Sequence, residues 1–310
     1  MRYIIKQFSK LIDNIILQGD ISKAQESIRF FYYYLLLISY ESLTHILSLE
    51  SLKNIDPLWP ILWINISGIY PGIRIIILGF TLGSLLTAIL PGSRALRALT
   101  FTALLMYVAS LYASSKIDHD FHLLILISFI LIFLPNDWNK KLEIYNLKSK
   151  QTLLIFLGCQ GIVLATYTLS GLWKLFALME QLLKGEVHLL IPQSVALHIS
   201  QQLLRSKGES ILGPWVIDNY IVAWPFFIGI LCLEIFSLVI LFKPSLYKPW
   251  AILLIIFHIS TYLTMNIIFL HNVIILSILF LSSPFSAKKS NLFKDIPILS
   301  FIIRRLAKFT

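Results

Sequence analysis

Apolar residues fill most of the chain in long runs, separated by short polar connections. A helix needs about 20 apolar residues to cross the hydrocarbon core of a bilayer, at about 1.5 Å rise per residue. The runs predict eight membrane-spanning helices at residues 28–47, 72–91, 94–115, 121–135, 152–176, 219–242, 249–268 and 270–284. The fold class predicted is therefore all-α, a polytopic integral membrane helix bundle with its transmembrane domain at residues 28–285.

Both ends of the chain show an amphipathic pattern instead. In residues 1–27 the apolar side chains recur along one stripe of a helix, which predicts a segment lying on the membrane surface; they are Ile4, Ile5, Phe8, Leu11, Ile12, Ile15 and Ile16. Residues 286–310 combine apolar and basic residues in the same way. We expect this tail to be a cytoplasmic helix whose basic side chains face lipid headgroups.

One long connection, residues 177–218, joins the fifth and sixth predicted spans. Its leucine, valine and isoleucine spacing predicts an interfacial or re-entrant helix interrupted at Pro192. Two interpretations remain open at this point. The segment is either an ordinary surface helix or a lid over an outward-facing cavity, since long structured connections often carry function.

Composition excludes a soluble protein. The chain has 310 residues, of which 57% are hydrophobic and 14% charged, and its mean hydropathy is +0.79. Soluble domains have about 45–50% apolar and about 25% charged residues, so this chain has too little polar surface to cover its apolar surface in water. The same composition excludes disorder, and two cysteines cannot form a disulfide framework.

The basic excess indicates orientation in the membrane. The formal net charge is +10, from 26 Lys and Arg against 16 Asp and Glu. If the N-terminus is inside, nineteen of the Lys and Arg residues fall on cytoplasmic segments and seven on or near the outer side. This asymmetry predicts an even number of crossings with both termini cytoplasmic. It also indicates that the basic residues lie in loops and contact anionic lipids, so no nucleic acid partner is expected.

Ionisable residues inside predicted spans are costly in lipid, and each is a candidate for function. Lys174 lies near the predicted outer end of the fifth span. It is either a lysine whose stem reaches up to the headgroups or a partly desolvated amine that acts as a base.

Two further pairs of ionisable residues stand out. Glu41 and His45 are four residues apart in the outer half of the first span, so they share a helical face. Glu234 and His258 fall at nearly equal depth on consecutive spans. A hydrogen bond between Glu234 and His258 would offset part of the cost of burying them. We therefore predict that pair, as a structural contact or as part of a proton path.

Other candidate chemistry is less specific. A polar group at the mouth of the fourth span could hold a metal or be a solvated loop, and because its spacing matches no strong motif no metal site is predicted; it comprises Asp118, His119, Asp120 and His122. Cys159 and Cys232 are either buried apolar side chains or a redox pair. The absence of phosphate-loop, HExxH, CxxC and GxSxG motifs argues against ATP-driven transport, zincin proteolysis and α/β-hydrolase chemistry.

Four stretches together resemble a known family. They are Ser27–Phe31 (SIRFF), Tyr167–Leu175 (YTLSGLWKL), Leu233-Glu234, and Phe257-His258 with the later LFLSSPF. Their order over residues 25–285 resembles the membrane domain of the vitamin K-dependent γ-carboxylase. It also resembles the bacterial relatives grouped as the horizontally transferred transmembrane domain, which include a membrane protein that matures a sporulation-delaying peptide toxin.

The resemblance implies an activity and residue roles. Lys174 falls on the lysine that the carboxylase uses as its base, at a site open to the lumenal side, and the co-substrate implied is a reduced quinone, menaquinol or vitamin K-like. The other implied residues are His258, Glu234, His45 and Glu41 for orientation or proton relay, and Tyr167, Gly171 and Trp173 for the cofactor. The implied protein is a maturation factor for an exported peptide in a bacterial plasma membrane. A separate accessory protein is expected to present the peptide, since the chain ends soon after the eighth span.

Two alternatives from other classes stay open. A non-enzymatic membrane subunit or immunity protein could bind a hydrophobic peptide, with the intramembrane polar groups serving structure alone. A quinone-linked thiol oxidase would instead use Cys159 and Cys232.

Overall fold

The computed structural model describes residues 2–44, 55–113, 119–141, 146–185, 187–206 and 208–285. Within these ranges the chain is helical and forms no strand. The α-helices are α1 (Arg2–Leu17), α2 (Ile21–Thr44), α3 (Ile64–Ser67), α4 (Ile69–Ile89), α5 (Arg94–Tyr112), α6 (His122–Leu131), α7 (Leu147–Lys184), α8 (Gln193–Ser206), α9 (Gly213–Asp218), α10 (Tyr220–Ile240), α11 (Tyr247–Met265) and α12 (Leu270–Leu276). The all-α prediction is confirmed for this part of the chain.

Five helical segments among the described residues are long and apolar enough to cross a membrane. They are Ile69–Ile89, Arg94–Tyr112, Leu147–Lys184, Tyr220–Ile240 and Pro244–Met265. The segments His122–Leu131 and Leu270–Leu281 are apolar but shorter, and the second ends in a π-helical turn, Ser277–Leu281. These lengths and compositions are those of a membrane protein.

The remaining predicted span coincides with α2, which is not among the five. Lys23 and Glu26 precede its apolar run, and within that run Arg29, Glu41 and the tyrosines at 32–34 lower the mean hydropathy. At the N-terminus, α1 forms, with Ile15 and Ile16 buried and Leu11 exposed. The tail at residues 286–310 lies outside the described residues.

Contacts divide the chain into two compact units. One comprises Ile16–Cys159 with Ser282–Phe285, and the other comprises Gln160–Leu281 with the N-terminal residues up to Ile15. In the first unit the buried guanidinium of Arg97 donates to the carbonyl oxygens of Pro91, at 2.7 Å, and Leu134, at 2.5 Å. Trp138 Nε1 also donates to Pro91 O, at 2.8 Å. These contacts satisfy carbonyls that follow the ends of α4 and α6, which helices otherwise leave without partners.

The second unit contains α8 to α12 and most of α7. The helix α8 begins directly after Pro192, and its buried Val195 and Ile199 form an apolar cluster with Val216 of α9. Trp224 of α10 packs on this cluster, and its Nε1 donates to Leu189 O at 3.0 Å. The connection between α7 and α10 is therefore packed against the start of α10. Its role as a lid stays a prediction.

Candidate functional site

An ion pair between α7 and α10 is the centre of the candidate site. Lys174 Nζ lies 2.7 Å from Glu234 Oε1 and 2.5 Å from Glu234 Oε2, so one ammonium donates to both carboxylate oxygens. The Glu234 side chain is 3% exposed and that of Lys174 is 39% exposed. Both helices are among the five that can cross a membrane. A charge in such a place is stable only with a partner, and each residue supplies the other's.

Gly171 allows the two helices to approach closely enough for this pair. A Cβ at Gly171 would lie 2.8 Å from the backbone nitrogen of Ile235 and 3.0 Å from the Cβ of Glu234. Membrane helices commonly use such small residues where their backbones meet. Lys174 is one turn further along α7, and helical side chains lean towards the N-terminus. The Lys174 side chain therefore reaches back to the level of Gly171 and meets Glu234 there.

Two hydroxyl side chains of α7 complete the contact around Glu234. Ser170 Oγ donates to Glu234 Oε1 at 3.4 Å. Thr168 Oγ1 accepts from the backbone N–H of Leu238 at 2.9 Å and donates towards the carbonyls of Glu234 and Ile235, each at 3.3 Å. The hydroxyl thus enters the backbone hydrogen bonding of α10 at the residue that carries the charge.

A second polar pair lies on α7 and α11. Tyr167 Oη and His258 Nε2 are 2.6 Å apart, and both side chains are buried. Two phenylalanine rings pack on the imidazole of His258, with centroid separations of 4.9 Å for Phe257 and 5.1 Å for Phe269. Lys174 Nζ lies 5.9 Å from the centre of the Phe257 ring, which is within the range of a cation–π contact. Lys174 thus contacts aromatic surface next to His258 as well as Glu234.

The predicted hydrogen bond between Glu234 and His258 is wrong. Glu234 pairs with Lys174, and His258 pairs with Tyr167. Equal depth on consecutive helices did not determine the partners, because Gly171 brings α7 against the same face of α10. The helix α7 continues past Lys174 to Lys184, and the position of Lys174 near the outer end of the membrane-spanning part stays a prediction.

The other predicted site residues lie apart from this arrangement or outside the described residues. Glu41 is exposed on α2, in the first unit, and His45 lies outside the described residues. Trp173 is 75% exposed. Cys159 is buried and Cys232 is exposed, and both are free thiols. Their role as a redox pair stays a prediction.

The polar group before α6 has a defined contact but no complete metal site among the described residues. The Nδ1 atoms of His119 and His122 are 3.3 Å apart. Asp118 lies outside the described residues. Within the described ranges, no set of three or more His, Cys, Asp and Glu side chains is arranged to hold a metal ion.

Thr168 and Ser170 are site residues that the sequence reasoning missed, although a signal for them was present. Tyr167, Gly171 and Lys174 are spaced by four and three residues, which defines one face of a helix. Small and hydroxyl residues beside such a face indicate a close helix contact in membranes. That rule would have selected Thr168 and Ser170 together with Gly171.

Neither protein-family models, nor curated proteins, nor solved structures gave a match to this chain.

Proposed function

We propose that this chain is a membrane-embedded enzyme of the γ-carboxylase-like class that matures an exported peptide, with Lys174 as the base. The observation that carries the proposal is the Lys174–Glu234 pair, held between two apolar helices next to Tyr167 and His258. Ionisable residues are rare in such helices unless function requires them. The stretch Tyr167–Leu175, which carries the resemblance to the family, contains the residues of α7 that form this site.

The proposal includes the finer topology. Eight crossings, with both termini in the cytoplasm of a bacterial cell, would follow if α2, α6 and the segment Leu270–Leu281 also traverse the plasma membrane. The distribution of Lys and Arg supports this orientation. The amphipathic ends would then lie on the cytoplasmic leaflet, and the substrate peptide, with its accessory protein, would approach from outside.

The pair offers a route for a proton without creating net charge. In one arrangement Lys174 is an ammonium and Glu234 a carboxylate. Movement of one proton from Nζ to an Oε atom, over a contact of 2.5–2.7 Å, leaves a neutral amine beside a carboxylic acid. Such an amine has a lone pair and can take a proton from a bound substrate. Ser170 donates to Oε1 and helps to hold the carboxyl group in place.

The residues present fit a reduced quinone as co-substrate. Phe257 and Phe269 offer aromatic surface next to His258, and Lys174 Nζ faces the Phe257 ring. Polar hydrogen-bonding groups beside apolar rings suit a flat ring with oxygen substituents. A bound reduced quinone would supply reducing equivalents. The chain's own residues would orient its ring and accept its proton.

Lys174→Arg is the sharpest test of the base. Arginine keeps the positive charge and can pair with Glu234, but it does not lose its proton in proteins. We expect the variant to fold and to lose maturation by about 100-fold or more, within the range for a general base. Mass spectrometry of secreted peptides from the native host provides the readout, with the peptide that changes on gene deletion as substrate. Lys184→Arg, on the same helix and paired with Glu180 at 2.6 Å, is the matched control and should keep full activity.

A second variant separates chemistry from folding. The double variant Lys174→Met, Glu234→Gln removes both charges and leaves no unpaired ion in the protein. We expect it to be inserted and folded but inactive. Normal maturation by Lys174→Arg or by the double variant would contradict the proposal, and so would a deletion that alters no secreted peptide.

One observation favours the non-enzymatic alternative, in which the chain is a subunit or immunity protein that binds a hydrophobic peptide. Lys174 contacts both oxygens of Glu234, which is the geometry of a strong structural ion pair. Under this alternative Lys174→Arg keeps function, whereas Lys174→Met loses it through instability. The Lys174→Arg result therefore discriminates between the two functions.

A further inference from the structure

We propose that His258 Nδ1 is the hydrogen-bond donor to a carbonyl oxygen of a flat quinone-type ring, and that Tyr167 positions this donor. The inference rests on the proposed function in one respect, the chemical class of the ring. The proposed donor, His258, is only 5% exposed and lies on a helix that can span a membrane.

The tautomer of His258 follows from its partner. Tyr167 has one hydroxyl proton, and among the described residues its Oη has one hydrogen-bond partner, His258 Nε2, at 2.6 Å. We assign the hydroxyl as the donor and Nε2 as the acceptor. A neutral imidazole with an acceptor at Nε2 carries its hydrogen on Nδ1. Tyr167 therefore makes Nδ1 a donor.

This donor has no acceptor within the described part of the chain. His258 Nδ1 is fully buried and makes no hydrogen bond there. A buried N–H without a partner destabilises the folded state, so native proteins rarely leave one unless a ligand or water meets it. The Nδ1–H group is therefore available to an oxygen acceptor from outside the described residues.

The surroundings of His258 select the kind of acceptor. Phe257 and Phe269 pack on the imidazole, and Lys174 Nζ lies 5.9 Å from the centre of the Phe257 ring. Aromatic rings prefer offset or edge contacts with other rings at centroid separations of about 4.5–7 Å. A ring that carries a carbonyl oxygen would satisfy Nδ1–H and continue the aromatic packing. Water would satisfy only the first of these.

Binding of menadione, a naphthoquinone without a tail, tests the assignment in purified protein held in lipid nanodiscs. Tryptophan fluorescence quenching gives the dissociation constant. We expect saturable binding that His258→Phe weakens about tenfold or more, because it keeps a ring but removes the donor. His258→Asn, whose amide nitrogen falls near the place of Nδ1, should bind more tightly than His258→Gln, whose amide nitrogen falls near Nε2. His122→Phe, in the other unit, is the matched control and should bind like the wild type.

The role of Tyr167 needs a readout that packing alone would not change. ¹⁵N NMR of histidine-labelled protein distinguishes Nδ1–H from Nε2–H, and His258→Asn identifies the signal. We expect Nδ1–H in the wild type, and a mixture of tautomers with weaker menadione binding in Tyr167→Phe. An Nε2–H tautomer in the wild type would overturn the assignment. Equal binding by His258→Phe, or partition into the nanodisc without saturation, would overturn the site.

These outcomes are separable from the test of the proposed function. Maturation is measured with Lys174→Arg, whereas ring binding is measured by comparing His258→Phe with the wild type. Normal maturation by Lys174→Arg, with menadione binding in the wild type that His258→Phe weakens, would refute the proposed function alone. Loss of maturation in Lys174→Arg, with ring binding indifferent to His258, would refute this inference alone.

Discussion

Lys174 and Glu234 differ in what each can do when the other is removed. Lys174 has a long flexible stem and a partly exposed side chain, so its ammonium can move away from α10 when Glu234 is removed. Glu234 is short and buried, so its carboxylate stays where it is. Removing one partner costs about 3–5 kcal/mol when both ions are buried, and here only the Glu234 carboxylate is buried. We therefore expect loss of Lys174 to destabilise the protein more than loss of Glu234.

Asp137 allows a pH prediction at the same scale. It lies between α6 and α7, with Lys140 Nζ at 2.9 Å from Oδ1 and Lys148 Nζ at 2.5 Å from Oδ2. Its hydrogen bonds with Lys140 and then Lys148 lower the pKa of Asp137 from 3.8 to about 2. A lowered pKa means that this contribution to stability is present above about pH 4 and is lost as the pH falls to about 2.

Thermal unfolding measured between pH 4 and pH 2 checks this prediction. Asp137→Asn should lose less stability over that window than the wild type, because it has no carboxylate to protonate. Lys148→Gln should raise the titration midpoint of the Asp137 carboxyl group, measured by ¹³C NMR. An unchanged midpoint in Lys148→Gln would show that Lys148 does not act on Asp137.

At the scale of helices, Gly171 controls the distance between α7 and α10. An added Cβ would meet Ile235 N at 2.8 Å, and backbone cannot move aside as a flexible side chain can. We expect Gly171→Ala to push the helices apart and to weaken the Lys174–Glu234 contact. The variant should lower the midpoint of thermal unfolding by several degrees and reduce peptide maturation.

Gly229 provides the matched control for Gly171. It lies on α10, and a Cβ there would meet no atom within 4 Å beyond its chain neighbours and the adjacent backbone of its own helix. Alanine is a better helix former than glycine by about 1 kcal/mol, so Gly229→Ala should be neutral or slightly stabilising. If both alanine variants behave alike, close approach at Gly171 is not what holds the pair.

Helix formation could be predicted from the sequence, whereas the partners of the helices could not. Apolar runs placed α4, α5, α7, α10 and α11, and the cost of charge in lipid singled out Lys174 and Glu234. Helical periodicity gives the face on which a residue lies but not the helix that this face meets. The close approach at Gly171 shows that α7 meets α10 at Glu234. The stretch Tyr167–Leu175 indicates a close helix contact at Gly171, but it does not indicate which helix makes that contact.

At the scale of the whole molecule, α7 is long enough to cross a membrane and to extend beyond its hydrocarbon core. This helix has 38 residues and is about 57 Å long at about 1.5 Å per residue, against a hydrocarbon core of about 30 Å. If α7 crosses the bilayer, its two ends must therefore lie in the water or the headgroup layer on opposite sides of the membrane. The charge distribution predicts that the end at Leu147 is cytoplasmic.

Cysteine labelling in intact cells tests this orientation. The background carries Cys232→Ser, since Cys232 is exposed, and retains the buried Cys159. A membrane-impermeant maleimide should label Val187→Cys directly and Lys141→Cys only after permeabilisation. The reverse pattern would place the N-terminal end of α7 outside, and labelling of both without permeabilisation would show that α7 does not span.

The hydrogen bond between Thr168 of α7 and the backbone of α10 makes the site depend on the rotation of α10 about its own axis, as well as on which side chains it carries. Because Leu238 N–H donates to that hydroxyl and Glu234 lies one turn earlier, α7 and α10 match only in one rotational setting. Insertion of a single residue into α10 ahead of Glu234 would rotate the carboxylate by about 100° around the helix axis. The Glu234 carboxylate would then face away from α7, although the sequence would still contain every side chain of the site. Homologues with insertions or deletions in α10 should therefore keep the function only where the number of residues added or removed is close to a whole number of helical turns.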